Sequence, residues 1–432
     1  MFKKIARGAL IGAAALAMAV PAHALTEVHL FGASAQYTFW IDAAPKFLSD
    51  PAGAACLGTV QHAASGDVTD NEATMDERDA GAARGLNCQG VGEEVVITYT
   101  TFSSVKGIQA VKGSATFDGC PAGEAGVPDW QDLDGDGNGV TWGPYPGTAG
   151  SVDDLECQDI VIGASDVAGE TFNQESHGAL YGPAGGDWYD SYATPEDTTG
   201  LDECRPIVVP FAFFGSDNLP VIPAGAQGNL TRLQAVSIFS GQVTNWSDMG
   251  YSSLPVAACL RHAGSGTHAT LDAAVMRGDS PLLKDEALPG SFPVFMGYVP
   301  VTYFNKGSSD EVKCVRDAGD AGFGAVGYAD ADKNGADFDP AEPKKADRIQ
   351  RLKYMGADAT VDTISNGIYD FWSAQWLYYR ADEDPTVKAK VVELCNYASI
   401  GANIPASKAG FWAAEGDMKV TKSTDFAFPS WK

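Results

Sequence analysis

The sequence predicts an α/β fold in two domains, on three observations. The chain has 432 residues, more than one ordinary hydrophobic core serves. Short apolar, β-branched runs alternate with stretches of helical periodicity. Turns of Gly, Ala, Ser and Thr follow several of those runs, at the position where open α/β sheets bind ligands. Hydrophobic residues make up 45% and charged residues 20%, a globular composition.

The first 24 residues stand apart. Lys3, Lys4 and Arg7 precede an apolar stretch from Ala9 to Val20, and Ala22-His23-Ala24 has the small-x-small pattern of a processing site. This is the pattern of a secretory signal. With no Cys at Leu25, no lipid anchor is expected. No later run is long and apolar enough to span a bilayer, so the mature chain is expected to be soluble and periplasmic or secreted. Eight cysteines in an oxidising compartment predict disulfides. Spacing does not fix their connectivity; the pairing taken forward is Cys56 with Cys88, Cys120 with Cys157, and Cys259 with Cys314. No C-x-x-C pair is present, which argues against thiol redox chemistry.

Formal net charge is −27, which excludes nucleic-acid binding by the general field. The charge is uneven. No Lys or Arg lies between Lys112 and Arg205, whereas Asp and Glu are frequent there. That stretch reads as a solvated acidic surface or as a cation-binding one.

Taking the elements in order, residues 27–31 read as a strand, Gly32 to Ala35 as a turn, and residues 36–48 as a helix with Phe39, Ala43 and Phe47 on one face. Ser49 to Gly92 reads as a loop-like insertion. Residues 94–99 form the second strand, with a helix beginning near Ser103. Residues 114–157 and 173–203 read as irregular acidic insertions, and 159–163 as a third strand leading into Ala164-Ser165-Asp166. Residues 206–214 read as a buried strand. Leu230, Leu233, Val236 and Phe239 recur at helical spacing, with Gly241 placed to cap the helix. The theme of strand, turn and helix recurs after Ala258, and residues 387–397 read as a closing amphipathic helix. The sheet is expected to be mainly parallel.

The chemistry concentrates in the turns. Arg261-His262-Ala263-Gly264-Ser265-Gly266-Thr267 joins a strand to a helix. Small residues at a helix start let backbone N–H groups approach an anion, and Arg261 offers a planar two-pronged donor. The alternative for this segment is a plain Ser/Gly turn with a helix cap. Gly32 to Ala35 and Thr101-Phe102-Ser103-Ser104 have the same build. Gly163-Ala164-Ser165-Asp166 adds a carboxylate, which repels a fully ionised anion but accepts a hydrogen bond from a protonated one.

These segments, in this order, resemble the periplasmic phosphate-binding proteins of ABC transporters, which have the type II periplasmic-binding-protein fold. The resemblance rests on Gly32-Ala33-Ser34, on Tyr99 to Gly107, on Gly163 to Asp166, and on Leu230-Thr231 through Asn245-Trp246. It rests also on Arg261 with Gly264-Ser265-Gly266-Thr267, and on Gly324-Ala325-Val326-Gly327-Tyr328. It implies a ligand cleft between domain I (25–208 plus 360–432) and domain II (215–355). It implies phosphate or a similar oxyanion as ligand, an ABC permease as partner, a monomer, and no catalysis. The implied ligand contacts are Ser34, the Ala35 backbone, Ser103 or Ser104, Asp166, Arg261, Ser265, Gly266 and Thr267. The 103/104 turn aligns in two ways. Ala35-Gln36 stands where an aromatic and a proline are common, and Ala263 where an acid often pairs with the arginine. His262 is expected to be exposed and idle.

No cofactor is expected, with calcium as the one candidate. Asp132, Asp134 and Asp136 alternate before Gly137 like the first half of a calcium loop, but Gly143 stands where the bidentate Glu would be. Asp330 to Gly335 is a fainter version. Gly322 to Gly327 fits G-x-G-x-x-G but enters a strand instead of leaving one, so the dinucleotide reading fails. Two alternatives remain: a calcium-stabilised extracellular sensor of the same fold, and a hydrolase using Ser265, His262 and Asp166.

Overall fold

In the computed structural model of the chain, the described residues are 24–68, 78–90, 92–117, 119–179, 188–220, 228–277, 282–284, 301–333 and 348–432. The secretory segment, through residue 23, lies outside them, as do Asn334 and Gly335 of the fainter acidic loop.

The described residues form two large mixed sheets with helices packed against them. The chain enters the first sheet with β1 (Leu25–Gly32), then helix α1 (Tyr37–Ser49). Phe39, Ala43 and Phe47 are all buried, as their spacing predicts. β2 (Val60–Val68), β3 (Arg78–Cys88) and β4 (Glu93–Thr101) follow, then helix α2 (Ser104–Lys112). The short β5 (Gly143–Pro144), β6 (Ile162–Ser165) and β7 (Leu201–Cys204) continue this sheet.

The second sheet begins with the fully buried β8 (Ile207–Ser216). It adds β9 (Asn229–Leu230), helix α3 (Arg232–Phe239), β10 (Val256–Arg261) and helix α4 (Gly266–Thr270). A π-helical turn, Leu271–Met276, carries α4 on. Next come β11 (Val301–Asn305), helix α5 (Ser308–Asp320), β12 (Gly324–Asp330), β13 (Ile349–Tyr354) and β14 (Trp372–Ala374). β15 (Trp376–Arg380) returns to the first sheet, helix α6 (Pro385–Ala398) packs against α1 and β1, and β16 (Ala413–Ala414) pairs with β8. The first sheet runs β7-β15-β6-β1-β4-β3-β2-β5. The second runs β9-β13-β8-β12-β10-β11, with β14 and β16 also on β8. The chain thus crosses between the sheets near residue 206 and again at Gln375. Residues 372–374 and 413–414 pair onto the first half of β8.

Several expectations are corrected. The sheets are mixed: among the described strands, β1 with β4 and β6, β10 with β11 and β12, and β9 with β13 pair in parallel, and the other pairs are antiparallel. The stretch read as a loop after Ser49 holds β2 and β3. Between Val60, Val68 and Cys88 at their ends, their buried residues are mainly Ala and Gly, small enough to let α1 sit directly on the sheet: a side chain on Gly81 would meet Ile41 at 2.6 Å. Little apolar bulk was there to mark them. Asp159 to Gly163 is not one strand; Leu155–Asp159 ends at Asp159 and β6 starts at Ile162. The insertions read as irregular contain β-hairpins, Glu124–Pro128 with Leu155–Asp159 and Glu175–Ala179 with Trp188–Tyr192. α3 ends where predicted, opened by a Thr231–Gln234 capping box and followed by Gly241 at φ 74°.

The three expected disulfides form, and a fourth joins Cys204 to Cys395, tying β7 to α6 across 191 residues. A loop of that length stabilises by up to about 5 kcal/mol in the chain-entropy model. The double substitution Cys204→Ser/Cys395→Ser should lower the denaturation midpoint more than removal of Cys56–Cys88, which closes 32 residues. Equal losses in urea melts would show that loop length is not the governing quantity.

Candidate functional site

The site forms where the two sheets present their strand ends. In the first sheet, β4, β1 and β6 run parallel, with Gly32 level with both Thr101 and Ala164. The turns at Ala33-Ser34-Ala35, Ser103-Ser104 and Ser165-Asp166 therefore leave one edge together. The first is fixed by the Ala33 N–H donating to Ala164 O at 3.0 Å and by Tyr99 OH donating to Ala33 O. Gln36, fully buried, reaches from this turn to Ser165 O at 3.1 Å. In the second sheet β10 ends at Arg261, and the loop from His262 to Ser265 opens α4.

The two edges touch. Ser104 Oγ donates to Asp166 Oδ2 and accepts from the backbone N–H groups of Asp166 and Gly266, each at 3.2 Å. One donor and two acceptor sites complete a hydroxyl's capacity, so Ser104 is a clasp between the domains. The Val105 N–H adds a second tie to Gly264 O at 3.2 Å. Gly266 is required by proximity: a Cβ there would stand 2.4 Å from Ser104 Oγ and 2.5 Å from Asp166 Cβ. Of the two serines that sequence left open, Ser104 makes these contacts. Ser103 is buried at the start of α2 without a side-chain capping bond. Ser34 is half-buried and Ala35 buried at the same edge. Ser265 and Thr267 are buried in the first turn of α4.

Arg261 is 2% exposed. Its Nη1 donates to Ser308 Oγ at 2.8 Å, Nη2 to Lys306 O at 2.8 Å and Nε to Asn305 O at 3.4 Å. Hydrogen-bond capacity remains on the guanidinium after these bonds. Among the described residues no carboxylate forms an ion pair with it, and the small Ala263 stands two residues along the chain. Three carboxyls stand within its field without pairing: Asp166, Asp330 and Glu311.

Asp166 is 2% exposed, and its Oδ1 has no hydrogen-bond partner among the described residues. Burial first, then the neighbouring Asp330 charge, push its pKa up to about 7, against the pull of Ser104, Arg261 and Gln375. Glu311 Oε2 and Asp330 Oδ1 are also buried and unpartnered, and burial raises both pKa values. A buried unmade hydrogen bond costs roughly 1–3 kcal/mol. Three such buried carboxyls therefore share the field of one guanidinium.

Sequence reasoning missed Asp330, Glu311, Gln375 and Gln36. Each is a single polar residue; Asp330 was noticed only as part of an acidic loop and Gln36 only as a departure from the family pattern. The expectation for His262 is corrected. It is 4% exposed, its Nδ1 lies 2.7 Å from Ala263 O, and burial followed by the Arg261 charge lowers its pKa to about 3, so it is neutral. The backbone N–H of Ser265 bonds to His262 O at 3.1 Å, and Asp166 is bonded to Ser104 and not to His262. The chain of carboxylate, imidazole and serine that a hydrolase triad requires is not assembled.

The acidic loop is arranged differently from its sequence reading. Asp132, Asp134 and Asp136 do not form one cluster. Asp134 is shared between two groups, one with Asp129 and Asp132 and one with Asp136 and Asp154, each with oxygens within 4.8 Å of one another. The buried Asp129 and Asp154 were missed. The Asp129 carboxylate accepts the N–H groups of Gln131 and Leu133 at 3.3 and 2.8 Å. Among the described residues no helix is long and apolar enough to cross a membrane.

Residues 204–392 match the model of a family described as a PBP superfamily domain. Solved structures with overall similarity include a phosphate-bound protein of Clostridium perfringens named for a phosphate ABC transporter substrate-binding role. It is 14% identical, covers 88% of this chain and 98% of that one, and has a TM-score of 0.45. An ABC-type phosphate transport receptor of Vibrio cholerae is 18% identical over 56% of this chain and 77% of that one, at TM-score 0.34. PstS of Borrelia burgdorferi is 10% identical over 85% and 92%, at TM-score 0.35.

Proposed function

We propose that this protein captures inorganic phosphate, or an oxyanion protonated like it, between its two α/β domains and presents it to an ABC-type permease. The observation that carries this reading is the unpartnered, buried Oδ1 of Asp166 beside Arg261, at the contact between Ser104 and Gly266. Phosphate supplies oxygens to the guanidinium and an O–H to the carboxylate. With a pKa near 7, Asp166 and the anion share one proton, whichever of them carries it. Sulfate has no proton to give. A hydrogen bond to a charged group contributes roughly 1.5–3 kcal/mol, so this one residue selects for phosphate by about one to two orders of magnitude. The Ser104–Gly266 clasp is the closed state of a hinge that excludes water around the anion. Export to the periplasm or beyond is supported by the four disulfides and the pattern of residues 1–24.

Thermal-shift titrations with phosphate, arsenate and sulfate test the reading. Phosphate and arsenate should raise the melting temperature and sulfate should leave it nearly unchanged. Equal stabilisation by phosphate and sulfate would contradict it. The two acidic groups around Asp134 motivate the other reading, a calcium-stabilised sensor of the same fold. That reading requires a melting temperature that rises with calcium and ignores phosphate.

A further inference from the structure

We propose that Asp330 is a second proton-reading carboxylate of the same cage, so that the bound anion is held with two protons in place, as a dihydrogen anion. The inference rests on the oxyanion reading above and extends it to the protonation state of the ligand.

Strand geometry brings Asp330 to the site. It ends β12, whose parallel neighbour β10 ends at Arg261. Across the sheet it pairs with Phe211 of β8. Two residues earlier on β8, Val209 pairs with Ser373, and the Ser373 hydroxyl is bonded to Asp166 O. Both aspartates thus stand beside the segment where β8 crosses between the domains. Asp330 is 4% exposed, and its Oδ1 has no protein partner among the described residues.

The charged groups around Asp330 do not neutralise it directly. Lys408 is ion-paired with Asp332, and Lys333 Nζ reaches Ser309 Oγ at 3.5 Å. Arg261 acts on it from a distance. Asp332 is the neighbouring charge that raises Asp330, and Asp330 in turn acts on Asp166 and on Glu311, which receives the Tyr328 N–H at 2.7 Å. A dianion entering beside Asp166 and Asp330 would meet two carboxylates with one guanidinium to balance them. A dihydrogen anion donates one O–H to each carboxylate and leaves two oxygens for Arg261, Ser265 and the α4 backbone. Burial and the surrounding acids raise the pKa of Asp330, in keeping with a site that takes up a proton with its anion.

The test is calorimetric titration of the full chain with phosphate at pH 8, in buffers of different ionisation enthalpy, to count protons. Wild type should take up about one proton per anion bound, and Asp330→Asn close to none. Uptake by Asp330→Asn equal to that of wild type would overturn the assignment. A second measurement needs no variant. Methylphosphonate matches phosphate in size but has one O–H fewer, so at pH 6 it should bind wild type at least about tenfold more weakly. Equal binding would also overturn the assignment. Failure of wild type to bind phosphate at either pH would instead remove the oxyanion reading on which the proposal stands.

Discussion

Asp166→Asn should make the unliganded protein more stable at pH 8 while weakening its hold on phosphate. The direction follows from linkage. In the folded chain the Asp166 pKa is about 7, above the ordinary 3.8. The folded state therefore binds more protons than the unfolded one between those values. Stability from this group is fully present below about pH 4 and is lost as pH rises through 7. The difference is on the order of 4 kcal/mol at pH 8. Asparagine does not titrate, and its side-chain oxygen can still accept the Ser104 hydroxyl. The gap in urea midpoint between variant and wild type should accordingly widen from pH 4 to pH 8. A constant gap would show that Asp166 is not the titrating group. In binding, the variant should lose about ten- to hundredfold in phosphate affinity, because an amide cannot take the proton a carboxylate takes. Sulfate should now stabilise it, since the repelling charge is gone.

Gly266→Ala should abolish tight binding with little loss of secondary structure. The new methyl would lie 2.4 Å from Ser104 Oγ and 2.5 Å from Asp166 Cβ, far inside contact distance. Both neighbours are held, Ser104 by its three bonds and Asp166 by the Ser373 hydroxyl on its carbonyl. Overpacking of this kind costs typically about 1–3 kcal/mol, and the Gly266 N–H bond across the domains is lost with it. Relief comes most simply by keeping the hinge open. Phosphate affinity should fall about a hundredfold. Small-angle scattering with phosphate present should give a larger radius of gyration than wild type, with an unchanged far-ultraviolet dichroism spectrum. Closure and affinity like those of wild type would mean that the Ser104–Gly266 contact is incidental.

Much of this arrangement was legible in the sequence, and its limits have physical causes. Gly163 to Asp166 and Arg261 to Thr267 announce themselves because small residues and one charged residue at a strand end are a local pattern. Periodicity located α1 and α6 because each buries a regular apolar face; α3 lies where the spacing put it, but Leu233 is exposed and Ala235, Ile238 and Phe239 are the residues it buries. β2 and β3 were not legible, since their buried middles are Ala and Gly, with Val60, Val68 and Cys88 only at the ends, and carry little hydrophobic signal. Gln375 had no local signal, and Asp330 only that of a short acidic loop. Their approach to Asp166 is created by β8 pairing with β12 on one side and β14 on the other, a relation between segments far apart in sequence. His262 was misplaced for a similar reason, since its neighbours in the chain do not reveal that the loop is enclosed between two sheets. The acidic loop shows the same limit: Asp129 and Asp154 are contributed by positions outside the alternating run.

The central claim is that turns from both domains enclose an anion that gives a proton to Asp166 and oxygens to Arg261. A crystal structure of the protein grown with phosphate tests it most directly. The account predicts a tetrahedral anion within hydrogen-bond distance of Asp166 Oδ1 and of the Arg261 guanidinium, with Gly266 still against Ser104. Phosphate bound away from these residues, with Asp166 Oδ1 still unpartnered, would contradict it.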